Sequence, residues 1–296
     1  MNLKLSSLRV GYALGGRLAP KRTVEHAASL FSTPLSSSRA RATAAIAATD
    51  ARRETLIVNG ERIAIYVWGD PSTQPYVLLV HGWSSFGLRF QPWAAKLRAL
   101  GYALVSFDQP GHGMSTGSRC LLTDFARTVR EVGSHYGNAA AVIAHSMGGA
   151  AVTMAMGAAW RAERVVLIAP ASDPVDATRR FARMVGLSEH LRERMHATFE
   201  RRTGVSIHDL QAHRHVLAFS QPALIVHDLD DPDVPWEEGE RYARFWPGAR
   251  LFTTQGLGHR RILEDTAVMD ASLAFLQGET IGERVVSTHA LPFGLV

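Results

Sequence analysis

The stretch Val142-Ile143-Ala144-His145-Ser146-Met147-Gly148-Gly149-Ala150 decides how the chain is read. The apolar run before it, 139–144, predicts a short buried strand, and the small-residue run 148–159 predicts a tightly packed helix. One serine stands between them, with small residues two positions to either side. A nucleophilic serine on a sharp strand-to-helix turn needs such neighbours, because larger ones clash. The helix behind it offers free N–H groups to a developing negative charge. The first small residue is Ala144 rather than Gly, and smallness is the requirement there. Taken alone, these residues equally fit a plain serine in an Ala/Gly-rich turn, so the rest of the chain decides.

A chain of 296 residues, 46% hydrophobic, holds one large α/β domain or a domain with an insertion. No apolar run reaches the ~20 residues that a membrane-spanning helix needs. The single cysteine, Cys120, rules out an internal disulfide and fits a reducing compartment, so a cytoplasmic location is expected. The net charge of +5 is uneven. Residues 1–53 carry nine Lys/Arg and two acidic residues, a net of +7, and the remainder carries a net of −2. The body therefore lacks the basic excess of a nucleic-acid-binding domain, and no nucleic-acid partner is expected. In the basic N-terminal arm, Val24, Ala27, Ala28, Leu30 and Phe31 have helical spacing before Pro34. The favoured reading is an arm that packs on the body or frays. The alternatives are a weak membrane-surface contact and a cleaved targeting segment, since the arm is rich in Arg and Ser and poor in acids.

From residue 54 strands and helices alternate. Strands over 55–58 and 62–68 meet at Asn59-Gly60, a strong hairpin signal. A strand over 76–80, a helix over 89–100, a strand over 102–107 and a helix over 121–136 precede the serine turn. A strand over 164–169 follows its helix. This spacing predicts a mostly parallel sheet of about eight strands with helices on both faces and the hairpin as its antiparallel edge. The rhythm breaks between 171 and 221, too long for a simple crossover. Helical stretches over 175–185, 188–202 and 207–218, with no strand pattern, predict an inserted cap. The core thus comprises 54–170 and 222–296, with a strand over 223–227, a helix over 236–245, a strand over 250–253, a helix over 262–276 and an aperiodic tail from 278.

Acyl transfer by serine requires a base, an acid that orients it, and two N–H donors for the oxyanion. In open parallel sheets such groups stand on loops at the carboxyl ends of strands. Three loops carry them. His81-Gly82-Trp83 offers the Trp83 N–H as one oxyanion donor, with the Met147 N–H as the other. The loop His227-Asp228-Leu229-Asp230-Asp231-Pro232-Asp233 offers an acid, with Asp231 favoured by its place in the loop and Asp230 and Asp228 as substitutes. Gly256-Leu257-Gly258-His259 offers the base. The chain order Ser146, Asp231, His259 is one of the three common triad orders.

On these motifs the chain resembles the α/β-hydrolase fold family from about residue 54 to 276. The resemblance rests on VLLVHGW (77–83), SFDQPGHGMS (106–115), AHSMGG (144–149), ALIVHDLDDPDVP (223–235) and GLGHRRIL (256–263). AHSMGG is similar to lipase and esterase elbows. The resemblance implies Ser146 as nucleophile, Asp231 as acid, His259 as base and a lid that shapes the acyl or alcohol pocket. In the acid loop, Asp228 stands where the family usually has Gly. His112 belongs to a Gly-rich loop that supports the pocket. The expected activity is hydrolysis of a small-molecule carboxylic ester through an acyl-enzyme, with neither cofactor nor metal. Acyl transfer or perhydrolysis by the same triad, and a non-catalytic binding protein, are the alternatives. His208, Asp209, His213 and His215 lack the spacing of a metal site. Asp173 and Asp176 are the alternative positions for the triad acid. Phe181, Met184, Met195 and Phe199 are expected to pack the cap rather than line a pocket.

Overall fold

The structure, a computed structural model, describes residues 3–158 and 160–285. Helices α1 (Leu3–Leu18), α2 (Pro20–Ser32) and α3 (Ser37–Ile46) form the arm. They lead into the hairpin of β1 (Arg52–Val58) and β2 (Glu61–Trp68). β1 starts two residues before the expected body. Then come β3 (Tyr76–Val80), α4 (Gln91–Ala99), β4 (Ala103–Phe107), α5 (Leu122–Tyr136), β5 (Ala139–His145), α6 (Met147–Gly157) and β6 (Ala162–Ile168). After these follow α7 (Pro174–Val185), α8 (Glu189–Thr203), α9 (His213–Val216), β7 (Ala223–Asp228), α10 (Trp236–Phe245), β8 (Arg250–Thr254), α11 (Gly258–Arg261) and α12 (Thr266–Leu276). The expected helix end at 159 and the tail beyond 285 lie outside the described residues.

The eight strands form one sheet in the order β1-β2-β4-β3-β5-β6-β7-β8. β1 pairs antiparallel with β2, and β2 with β4; every other pairing is parallel. Asn59 and Gly60 both have positive φ, as the tight hairpin turn requires. β3 and β4 are buried along their whole length, which explains their unbroken apolar runs. Alternate residues serve opposite faces. Leu78 and Val80 join the core beneath α5 and α6, whereas Val77 and Leu79 join the core beneath α4 and α12. Burial of each such side chain contributes roughly 1.5–3 kcal/mol.

Two expected helices are shorter than their pattern. Over 207–218 only a 3-10 turn, Ile207–Leu210, and the four-residue α9 form. The Gln211 backbone is extended between them, its side-chain amide bonded to Asp173 (2.7 Å), and the Ala212 N–H is bonded to the Ser172 carbonyl (2.9 Å). Tertiary bonds to the segment after β6 thus replace the helical ladder. At the C-terminal side, the Asp265 carboxylate caps α12 by accepting the Val268 N–H (3.0 Å), so the helix starts there and not at 262.

The helices between β6 and β7 and the arm share one hydrophobic core. Tyr12, Val24, Ala27 and Ala28 from the arm pack with Phe181, Val185, Leu191, Met195 and Phe199, while Met184 stays half exposed. Phe31 stands edge-on to Phe181 with ring centres 5.2 Å apart. Glu238 of α10 is buried; it accepts the N–H groups of Ser172 (2.7 Å) and Asp173 (3.1 Å) and pairs with Arg180 of α7. The foot of α7 is therefore fastened to the sheet domain. Cys120 is buried in the core beneath α5 and α6, and its N–H is bonded to the carbonyl of Ser32 at the end of α2 (2.8 Å).

Candidate active site

Ser146 is the turn between β5 and α6. Its backbone is strained, with φ 55° and ψ −127°, which costs on the order of 1–3 kcal/mol. The turn is held by Ser146 N–H to the Ile168 carbonyl (2.9 Å) and by the Ser146 carbonyl, which accepts the Gly149 N–H (2.9 Å). Smallness is demanded unequally on its two sides. A Cβ at Gly148 would lie 2.6 Å from the Val80 carbonyl oxygen, so only Gly fits. Ala144 lies within β5, paired with Val80 and Leu167, where a methyl is accommodated in the core.

Three chain segments converge on this serine. His259, in the short α11 after β8, has Nε2 2.9 Å from the Ser146 hydroxyl and Nδ1 2.7 Å from Asp231. Since the carboxylate only accepts, Nδ1 carries the proton and Nε2 is the acceptor for the serine. The Asp231 side chain is completely buried. Its second oxygen accepts the N–H groups of Asp233 (2.8 Å) and Val234 (2.9 Å). Burial alone raises the Asp231 carboxyl; hydrogen bonds from His227 and His259, and the charge of His259, outweigh it and hold the group below the ordinary carboxylate range.

The turn after β3 lies against the serine. A Cβ at Gly82 would stand 2.7 Å from the Ser146 Cβ. Trp83 follows Gly82, and its N–H enters none of the backbone hydrogen bonds of the turn. Met147 is the first residue of α6, where an N–H has no partner within the helix. The turn is fixed from behind by two histidines. His81 accepts the Gln109 N–H at Nε2 (3.0 Å) and His112 accepts the Ser84 N–H at Nε2 (3.0 Å). The arm reaches the same turn: the Leu35 N–H bonds to the Ser84 hydroxyl (3.0 Å) and Arg41 to the Ser84 carbonyl (2.8 Å).

A family model described as "Serine aminopeptidase, S33" matches residues 71–228, more than half of the chain. The chain belongs to this family of α/β-hydrolases. A second model, "TAP-like protein", matches residues 198–287. Among solved structures, a carboxylesterase (CesB) from Bacillus subtilis is 19% identical, with a TM-score of 0.59, covering 82% of this chain and 100% of its own. An esterase from Rhodococcus sp. ECU1013 is 20% identical, with a TM-score of 0.59 and coverage of 78% and 99%. At these identities the likeness is one of fold. A curated relative, a monoglyceride lipase homolog from Monkeypox virus, is 34% identical over 67 residues, 22% of this chain. The chain spans only 24% of the length of that relative.

In this α/β-hydrolase the other acids stand elsewhere. Asp228, in the usual Gly position, is fully buried and accepts the Asp230 N–H (3.1 Å), the Thr254 hydroxyl (2.8 Å) and the Leu257 N–H (2.9 Å). It joins the loop of Asp231 to the loop of His259. Asp230 lies exposed at the loop tip. Asp173 caps α7 and Asp176 pairs with Arg179. His215 bonds to the Asp209 carbonyl (2.9 Å). Among the described residues, no group of three or more His, Cys, Asp or Glu is arranged to hold a metal ion. An open depression of about 630 Å³, lined by Asp230, Pro232, Leu257, His259 and Arg260 among others, reaches His259 but not Ser146. It is the outer side of the loop pair.

Sequence reasoning missed His145. Buried next to the serine, it bonds through Nε2 to the His259 carbonyl (2.8 Å), with ring centres 4.8 Å apart. Burial, then the charge of His259, lowers it to about 3, so it is the neutral donor. Its position directly before the serine was its only signal.

Proposed function

We propose that the chain is a serine hydrolase that cleaves a small-molecule carboxylic ester through an acyl-enzyme. The observation that carries this reading is the continuous relay from Asp231 to His259 Nδ1 (2.7 Å) and from His259 Nε2 to the Ser146 hydroxyl (2.9 Å). In the proposed reaction His259 takes the Ser146 proton as the serine oxygen attacks the ester carbonyl. The N–H groups of Trp83 and Met147 hold the oxyanion. His259 returns the proton to the leaving alcohol, then activates a water that releases the acid and regenerates the serine. Asp231 keeps the imidazole in the required tautomer and balances its transient charge. The chain's own groups and water suffice for these steps. The esterases and the lipase homolog among the similar proteins support an ester as substrate.

Replacement Ser146→Ala is expected to lower kcat/KM for p-nitrophenyl acetate by at least about 10⁴-fold with an unchanged melting curve. A fluorophosphonate probe should label the parent chain at Ser146. Full activity of the variant would remove Ser146 from the mechanism. The description of the matched family motivates a second substrate class, aminoacyl p-nitroanilides. Turnover of these without turnover of esters would replace the ester reading by amide hydrolysis.

A further inference from the structure

Helix α1 is apolar on both of its faces. One face, with Leu8 and the buried Tyr12, packs into the core shared by arm and cap. The other carries Val10, Leu14 and Leu18, which are 60%, 55% and 83% exposed. Four-residue spacing aligns them as one stripe, about 12 Å long at 1.5 Å per residue. Arg9, on the flank between the inner face and the stripe, fastens α1 to the cap. Its guanidinium bonds to the carbonyls of Met184 (3.0 Å) and Arg183 (3.1 Å), which brings the exposed Met184 beside α1. Exposed Arg17 and Arg183 are chain neighbours of Leu18 and Met184, exposed Lys21 and Arg22 follow at the start of α2, and α1 itself contains no acid. Glu25 is the only acid before Asp50.

We infer that α1 docks this protein, lying flat, onto an anionic lipid surface, with Val10, Leu14, Leu18 and Met184 entering the headgroup boundary and the neighbouring basic residues meeting lipid phosphates. Three observations select this occupant. The charge is complementary: the arm carries a net of +7, whereas the body is slightly acidic. A helix of 16 residues is about 24 Å long, too short for a ~30 Å hydrocarbon core, and its inner face is held by the cap, so it lies on the surface and does not cross it. A second copy of the chain is disfavoured, because a two-fold contact through the stripe would oppose two sets of basic residues. The inference is independent of the catalytic reading, since it concerns binding alone.

Co-sedimentation of the full chain with phosphatidylglycerol and with phosphatidylcholine vesicles tests it. Binding is expected to phosphatidylglycerol, weakening at least about 10-fold between 50 and 300 mM salt. The double substitution Leu14→Glu, Leu18→Glu should reduce partitioning at least about 10-fold, while hydrolysis of a soluble ester stays at the parental rate. Leu18→Ser, at the most exposed position, should give a smaller loss and guards against misfolding of the double variant. Absence of binding to phosphatidylglycerol at low salt overturns the inference, as does binding that the leucine substitutions leave intact. Sedimentation velocity showing dimers that Leu18→Ser disperses, without vesicle binding, would assign the stripe to a second copy and overturn it equally.

Discussion

His81 and His112 each receive a backbone N–H on Nε2 and donate Nδ1–H to a carbonyl, of Gly82 (2.7 Å) and Pro110 (2.9 Å) respectively. Both rings must therefore be neutral. Burial lowers His112 to about 4 and pushes His81 well below the ordinary range; His145 lies at about 3 for the same reason. In the unfolded chain these rings titrate near 6.5. Between pH ~6.5 and ~4 the unfolded state therefore binds protons that the folded state refuses, and stability falls as pH falls. Asp108, raised by burial, acts in the opposite sense but is outnumbered. Urea titrations should show unfolding free energy dropping between pH 6.5 and 4.5, by up to roughly 3 kcal/mol for each of His112 and His145 over the whole window. His112→Gln should flatten the slope. A flat profile in the parent chain would contradict the neutral assignment. The meeting of Ser146, Asp231 and His259 was legible because strand context marks all three loops, small residues mark those of Ser146 and His259, and a run of carboxylates marks that of Asp231. The states of His81 and His145 were not, since each depends on a partner far away in sequence.

Among the elements, the acid and base loops are coupled through Asp228. Its carboxylate holds the Leu257 N–H two residues before His259, and the Asp230 N–H one residue before Asp231. Asp228→Ala leaves these donors and the Thr254 hydroxyl without their acceptor, at a cost of roughly 2–4 kcal/mol in urea unfolding. Ester turnover should fall about 10-fold or more through kcat, with KM little changed. Asp228→Asn keeps one acceptor and should recover part of both. Equal losses in the two variants would show that one acceptor and the retained volume do not suffice there, and that the charged carboxylate with both oxygens is required. Element limits were less legible than element order. The 207–218 pattern is amphipathic enough for a helix, and only the bonds from Gln211 and Ala212 to residues 172–173 break it. Such competition between local ladder and tertiary partner leaves no trace in periodicity.

At the scale of the whole molecule, the arm and the 171–221 segment are one packing unit laid over the sheet. Composition gave the arm its charge and its helical spacing, but the partner for that spacing lies some 150 residues away. Neither Phe31 nor Phe181 and Phe199 announce each other. Phe31→Ala removes ring contacts at 5.2 and 5.7 Å and should cost roughly 2–3 kcal/mol. Cys120 then turns out to be a clock. Its thiol is 2% exposed in the core beneath α5 and α6, its backbone N–H is tied to the end of α2, and burial raises its pKa well above the ordinary value, so it is inert in the closed fold. The rate at which a disulfide reagent such as DTNB consumes the single thiol thus counts openings of the seam where the end of α2 meets residue 120. That rate should be slow in the parent chain and rise at least about 10-fold in Phe31→Ala, at urea concentrations where the sheet is still folded. An unlabelled, native molecule thereby reports how often that seam opens.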